Sequence, residues 1–389
     1  MSGKRLRIGV LAGEASGDVL GSRVIAALAA HYDEVIAEGI GGPLMAAQGL
    51  ESMFPMERLS VMGLVEPLKR LPELLRIRGA VYRHFRDNPP DLFLGIDSPD
   101  FNLRLERKLR ACGVKTAHLV SPTVWAWRQR RIHKIKRSVD LMLCLFPFET
   151  AVYEKHGVPV RCVGHPLADE IPLRVGRGEA RSGLGLAPPG PLLALLPGSR
   201  GGEVRLLGPL FLQAARLLRQ DYPDLSFVIP AANAAREEQL RALLTGYDDL
   251  AVSLVSGRSR EVMAAADAIL LGSGTATLEA ALLKRPMVLA YRMSPLSWAL
   301  VKRLATTRFA GLPNVLAGHA VVPELIQDDA TPEAMAAAVG PLLAADQSVP
   351  EQLQVFDGIH RDLRRDSAAV AAAALAQLAG EGNERAVPG

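Results

Sequence analysis

The chain has 389 residues, 49% of them hydrophobic and 22% charged, with a net charge of +4. That length favours two domains, because single cores rarely grow past ~250–300 residues, and the composition excludes disorder except at ends such as 380–385. The mild basic charge suits anionic ligands or an anionic lipid surface without requiring nucleic acid, and the scattered Cys112, Cys144 and Cys162 exclude a disulfide framework or a zinc site and fit a reducing cytoplasm.

Lys4, Arg5 and Arg7 precede the apolar run from Ile8 to Gly13, which mimics a signal peptide. The run is too short and Glu14 and Asp18 follow at once, so a buried first strand explains it better. No segment approaches the ~18 apolar residues of a membrane span, so any membrane contact is expected to be peripheral. Strands are predicted at Leu6–Leu11, Glu34–Glu38, Leu92–Ile96, Thr116–Val120, Leu141–Leu145 and Val160–Val163. Amphipathic helices are predicted between them at Leu20–His31, Asn102–Cys112 and Phe148–His156. Apolar strands alternating with helices predict a parallel sheet covered on both faces. The alternation stops at Gly164-His165-Pro166, and the Pro-, Gly- and Arg-rich stretch up to Pro191 reads as a linker, with His165 a hinge residue rather than a catalyst. It restarts with strands at Leu192–Leu196, Ser226–Ile229, Ala251–Val255, Ala268–Leu271 and Met287–Ala290, with helices at Thr275–Leu283 and Ser294–Leu304. The region from Pro350 to Ala379 reads as alanine-rich helix.

The expectation is therefore an α/β protein of two Rossmann-like, doubly wound parallel-sheet domains with a cleft between them. They span 1–165 and 190–349, followed by a helical region, 350–389, that returns to the first domain or reaches a second subunit. In such sheets ligands lie beyond the carboxyl ends of the strands, so the loops after the strands are where chemistry is sought.

The first loop, Ala12-Gly13-Glu14-Ala15-Ser16-Gly17-Asp18, lacks the G-x-G-x-x-G spacing of a dinucleotide site. Its carboxylates suit sugar hydroxyls better than a pyrophosphate, unless the loop is a tight turn with Asp18 as a cap. The second, Gly95-Ile96-Asp97-Ser98-Pro99-Asp100-Phe101-Asn102, puts Asp97 at a strand end, where it is a candidate general base; Asp100 or Asn102 is a helix cap. The third, Leu196-Pro197-Gly198-Ser199-Arg200-Gly201-Gly202-Glu203, offers glycines and the Arg200 fork to a diphosphate, but no P-loop lysine. The fourth, Leu271 to Glu279, opens a helix with Gly272, Ser273, Gly274 and Thr275 placed for phosphate oxygens and Glu279 placed for ribose hydroxyls. In the fifth, Phe309 to Asn314, Asn314 either turns the chain or orients a substrate.

Taken together, these phrases, with Ser121-Pro122-Thr123-Val124-Trp125-Ala126-Trp127-Arg128, Tyr291-Arg292-Met293 and Leu312-Pro313-Asn314, resemble the lipid-A-disaccharide synthase family, inverting glycosyltransferases of the GT-B architecture. They run in family order along nearly the whole chain, and their joint order is far more specific than any one of them. The resemblance implies transfer of the sugar of UDP-2,3-diacylglucosamine to 2,3-diacylglucosamine 1-phosphate (lipid X), giving a β-1,6 disaccharide and UDP. It implies Asp97 as the base, with Glu14, Arg200, Glu279 and Asn314 in the active cleft; Ser16 of the first loop is also expected to bind substrate. No cofactor and no metal are expected, since nothing resembles a DxD motif.

Two further stretches bear on partners. Val61 to Arg78 mixes apolar with basic residues. It is either a core-packing helix or an interfacial one in which Met62, Leu64, Val65 and Leu68 receive acyl chains and the basic residues meet an anionic inner leaflet. Trp125 to Arg137 interleaves tryptophans with basic residues. Acceptor phosphate or lipid headgroup ranks ahead of a solvated helix face, and nucleic acid comes last. The expected place is the cytoplasmic side of the inner membrane, peripherally bound, and a homodimer stays open. The rivals are another two-lobed nucleotide-sugar enzyme, such as an epimerase or a peptidoglycan-type transferase, and a non-catalytic anion-binding protein.

Overall fold

The computed structural model describes residues 4–59, 66–125, 129–186, 190–272, 274–294, 298, 307–344 and 350–383, the side chains of 66–69, 129, 350 and 381–383 excepted. The chain divides into two compact units, Met1–Asp169 with Leu363–Gly389, and Glu170–Asp362. Met62, Leu64, Val65, Trp127, Arg128, Ser273 and most of the expected helix Ser294–Leu304 lie outside the described residues, as does the side chain of Leu68.

The first unit holds seven parallel strands: β1 (Arg5–Ala12), β2 (Glu34–Ile40), β3 (Glu51–Ser52), β4 (Leu92–Ile96), β5 (Lys115–Leu119), β6 (Leu141–Cys144) and β7 (Val160–Cys162), in the order β3-β2-β1-β4-β5-β6-β7. β4 is buried along its whole length, which is why it reads as an uninterrupted apolar run. Its helices are α1 (Ala15–Leu28), α2 (Pro43–Ala46), α3 (Glu66–Asp87), α4 (Pro99–Ala111), α5 (Ile132–Lys136), α6 (Pro147–Lys155) and α7 (Pro166–Glu170), whose last residue begins the second unit.

The second unit has α8 (Arg177–Leu184), then six parallel strands: β8 (Leu192–Leu196), β9 (Ser226–Ala231), β10 (Val252–Ser256), β11 (Ala268–Leu271), β12 (Met287–Tyr291) and β13 (Glu324–Ile326), in the order β10-β9-β8-β11-β12-β13. Its other helices are α9 (Gly201–Asp221), α10 (Ala234–Leu244), α11 (Ser259–Ala265), α12 (Thr275–Leu282), α13 (Leu312–Ala317), α14 (Pro332–Leu343) and α15 (Pro350–Leu363). Both sheets reverse direction of growth once, between β1 and β4 and between β8 and β11. Those are the two doubly wound, Rossmann-like domains expected from the alternation.

Two features differ from the sequence reading. The stretch read as a linker up to Pro191 carries a helix that the sequence reading did not assign. Its helix α8 buries no side chain and packs on α11 through charge. Arg177 and Arg181 pair with Asp267, the latter at 2.6 Å, and Asp267 also accepts from the Leu192 amide at 2.8 Å. A helix anchored by ion pairs leaves no apolar stripe to read. The C-terminal helical region is also two helices, not one. α15 stays with the second unit, where Gln352 accepts from the Met287 amide at 3.2 Å. The chain then turns at Asp366 (φ 55°) into α16 (Ser367–Asn383). That helix packs on α1, putting Ala371, Ala372, Leu375 and Leu378 into the core of Leu6, Ile8, Val24 and Leu28. Asp169 caps it, accepting from the amides of Arg365, Asp366 and Ser367 at 3.0, 2.9 and 2.8 Å.

Candidate active site

In the first unit the loops after β1 and β4 flank the point where strand order reverses, the usual ligand crevice of such a sheet. They touch there. A Cβ on Gly13 would lie 2.6 Å from Ser98 Oγ, so the missing side chain gives the loops room to meet. Glu14 and Ser16 open α1 and are exposed. Asp97 follows β4, half-buried. Its amide donates to Leu119 O at 2.9 Å, and among the described residues its carboxylate has no hydrogen bond or ion pair. Asp97 (φ 50°) and Ser98 (φ 43°) are both left-handed. Such geometry costs non-glycine residues roughly 1–3 kcal/mol each and persists only where the surroundings enforce it.

Three neighbours of these loops do other work than their residue types suggest. Asp18 is buried and accepts from the amides of Gly42, Leu44 and Met45, each at 3.0 Å. It caps α2, not its own helix, and both its oxygens are engaged there, out of reach of solvent. Asn102 does not cap α4 either. It is fully buried, and its Nδ2 donates to Asp97 O, Ile96 O and Leu11 O at 2.9, 3.2 and 3.3 Å. Asp100 is exposed and pairs with Arg131.

In the second unit the loops after β8 and β11 flank the corresponding reversal, and the Gly272 amide donates to Leu196 O at 2.9 Å. Gly274 (φ 128°) precedes α12; Gly274 and Thr275 are exposed, and of the first-turn amides, which lack acceptors one turn back, that of Thr277 donates to Gly274 O at 3.1 Å. Glu279, one turn further, is mostly buried, and burial pushes its carboxyl above the usual range, with Arg260, 3.9 Å away, pulling it back. The loop after β8 is a poorer backbone cradle than its glycines promise. Glu203 Oε2 already accepts from the amides of Ser199 and Arg200, each at 3.2 Å. What remains for an anion is the Arg200 guanidinium, whose side chain is 77% exposed and pairs with Glu203 at 3.2 Å.

Asn314, expected either to turn the chain or to orient a substrate, fastens a loop. It is buried; its Nδ2 donates to Val322 O and Glu324 Oε1, and its Oδ1 accepts from the amides of Val321 and Val322, all at 2.8 Å. Glu324, which sequence reasoning missed, also accepts from the amides of Ala310 and Gly311. Nothing local in the sequence marks it. Glu203 was legible, being three residues after the capping position of α9.

The basic stretch is a short 3-10 turn, Gln129–Arg131, followed by α5; Ile132 and Ile135 enter the core and His133, Lys134, Lys136 and Arg137 face solvent. Beside it, Trp125 meets Phe148 edge-on at 4.8 Å, Phe148 stacks on Phe146, and Phe146 on buried His165. Behind these rings lies Glu149. Burial pushes its carboxyl up to about 7, against the Phe146 amide 3.1 Å away and the Ser121 hydroxyl. The raised value means the folded state keeps a proton that the unfolded chain gives up above its ordinary 4.5. Stability is therefore highest below that value and falls as pH rises towards about 7, by roughly 3 kcal/mol. Glu149→Gln should abolish this fall, so that urea unfolding shows the variant equal to the parent at pH 4.5 and more stable at pH 8.

Comparisons with known proteins agree with this architecture. Residues 8–378 match the family described as lipid-A-disaccharide synthetase. The lipid-A-disaccharide synthase of Pseudomonas aeruginosa is 56% identical over 373 residues, covering 96% of this chain and 98% of its own. Among solved structures, the UDP-GlcNAc 2-epimerase of Neisseria meningitidis superposes with a TM-score of 0.60 at 13% identity, covering 96% of this chain and 98% of its own. A glycosyltransferase from Rickettsia africae does so at 0.58 and 9%, covering 99% and 100%. These two share the fold and no more, so the epimerase alternative gains nothing from them. The sequence matches are of another order, and by them the chain belongs to the lipid-A-disaccharide synthase family.

Proposed function

We propose that this glycosyltransferase joins UDP-2,3-diacylglucosamine to 2,3-diacylglucosamine 1-phosphate with inversion, Asp97 acting as general base. The observation that carries the assignment is the state of Asp97: a half-buried carboxylate at a strand-order reversal, without a protein partner among the described residues, on a backbone held in a strained conformation. The acceptor 6-hydroxyl loses its proton to Asp97 as its oxygen forms a bond to the anomeric carbon. The bond from that carbon to the β-phosphate oxygen breaks, and the electron pair leaves with UDP. Arg200 and the first-turn amides of α12 oppose the charge that develops on the diphosphate, a form of stabilisation that often dominates catalysis. Glu14 and Ser16 accept and donate to acceptor hydroxyls, and Glu279 to ribose. Incubating the purified enzyme with both substrates should yield the disaccharide and one UDP per disaccharide by mass spectrometry. Absence of the disaccharide overturns the assignment.

Diacylated substrates also call for contact with a membrane. No helix among the described residues is long and apolar enough to cross one. α3 supplies a peripheral alternative: Ile77, Val81 and Phe85 are buried on one face, while Leu71 and Leu75 are each 46% exposed. With Met62, Leu64, Val65 and Leu68 just before them in sequence, and Arg76 and Arg78 nearby, they suit the interface of an anionic inner leaflet. Replacing Met62, Leu64, Val65, Leu71 and Leu75 by Ser should reduce sedimentation with anionic vesicles. Unchanged sedimentation removes this segment from membrane contact.

A further inference from the structure

Beneath the Asp97 loop lies a row of three polar side chains that the reaction as written does not use. Asn102, Glu106 and His118 are each fully buried. Asn102 and Glu106 are four residues apart on α4 and so share a face. His118 lies on β5, in register with Gly95 of β4. The missing side chain at Gly95 makes their meeting possible. A Cβ there would collide with Glu106 Oε1 and come within 3.1 Å of Asn102 Cγ. Through that gap Glu106 Oε1 reaches His118 Nδ1 at 2.7 Å. At the other end, the Asn102 amide holds the carbonyls of Leu11, Ile96 and Asp97.

Buried polar atoms rarely go unpaired, and those that do call for an explanation. Here Asn102 Oδ1, Glu106 Oε2 and His118 Nε2 have no partner among the described residues. An ionised Glu106 has nothing to donate to Asn102. A neutral one, protonated on Oε2, carries the kind of donor that Asn102 Oδ1, an acceptor four residues earlier on the same helix face, lacks. Burial, which pushes the Glu106 carboxyl above its ordinary range, favours that form.

We propose that Asn102, Glu106 and His118 are positioning residues for the transfer: His118 and Glu106 orient the Asn102 amide, and that amide holds Ile96 and Asp97 so that the Asp97 carboxylate keeps its left-handed geometry. The inference rests on reading Asp97 as the base. It explains what enforces two consecutive left-handed residues at that point.

The test compares Asn102→Ala, Glu106→Leu, Glu106→Gln and Asp97→Asn for kcat, KM of each substrate and thermal midpoint. Misplacing a reacting group by about 1 Å can cost ~10²-fold. Asn102→Ala and Glu106→Leu are therefore expected to lower kcat by roughly 10–100-fold while the KM for the nucleotide sugar stays within about twofold. Glu106→Gln, neutral and able to both donate and accept, is expected to restore most of the rate lost in Glu106→Leu. In an Asp97→Asn background, Asn102→Ala should cost little more, because both act through one group. A purely structural role would lower the midpoint and leave kcat of the folded enzyme unchanged, which overturns the inference. Equal kcat in Glu106→Leu and Glu106→Gln also overturns it, and that pair decides if Asn102→Ala does not fold. Near-normal turnover of Asp97→Asn overturns the reading of Asp97 and this inference with it. An inactive Asp97→Asn beside full-rate Asn102→Ala and Glu106→Leu overturns the positioning role alone.

Discussion

Asp97→Asn is expected to lower turnover by about 10²–10⁴-fold, the usual worth of a general base, or roughly 3–5 kcal/mol of barrier. The change is nearly isosteric and leaves the local structure its anchors. The Asp97 amide still donates to Leu119 O at 2.9 Å, and its carbonyl still accepts from Asn102 at 2.9 Å. Affinity for UDP should be unchanged, because the groups proposed to hold it are in the second unit. Single-turnover kinetics with calorimetric titration of UDP separates the two effects. Near-normal turnover removes Asp97 from the mechanism, and lost UDP binding shows that the substitution disturbed more than a proton acceptor.

Asp18→Ala should produce the largest loss of stability among the carboxylates near the site. Three amide donors, from buried Gly42 and Met45 and from exposed Leu44, lose their carboxylate acceptor. Hydrogen bonds to charged groups are worth ~1.5–3 kcal/mol, and stranded donors add their desolvation cost. Allowing for partial rehydration, about 3 kcal/mol is expected, or roughly 6–12 °C in the melting of the first unit. At a temperature where the variant is still folded, the KM for the acceptor should be that of the parent, because Asp18 is buried with both oxygens on backbone amides. A variant with an unaltered melting profile and a raised acceptor KM would contradict the anchoring role. It would return Asp18 to the substrate side, beside Glu14.

The two carboxylates illustrate what can be read before folding. Both follow apolar strands in glycine-containing loops, and both are candidates on residue type alone. The structure separates them: Asp18 turns inward to a helix N-terminus 24–27 residues away in sequence, and Asp97 has a carboxylate unpaired among the described residues. The same holds in the second unit. Asn314 and the amides beside Arg200 look available in the sequence but are occupied by Val321, Val322 and Glu324, and by Glu203. Competition for a donor or acceptor depends on which side chain arrives from a distant segment, and no local pattern records that.

The linear order of residues was enough to determine the strand–helix alternation, the two parallel sheets, and the family, because these follow from apolar runs, helical periodicity and ordered glycine-bearing phrases. It placed β4 and β8 to the residue, since strands buried on both faces are apolar throughout. It missed β3 and β13, two and three residues long. It also left open where the C-terminal helix docks. Tertiary structure decided that docking, the charge-anchored α8, and above all which polar groups are spent on the fold. The reason is physical: apolar burial is non-directional and shows in composition along the chain, whereas a hydrogen bond is decided by one atom reaching another across the fold.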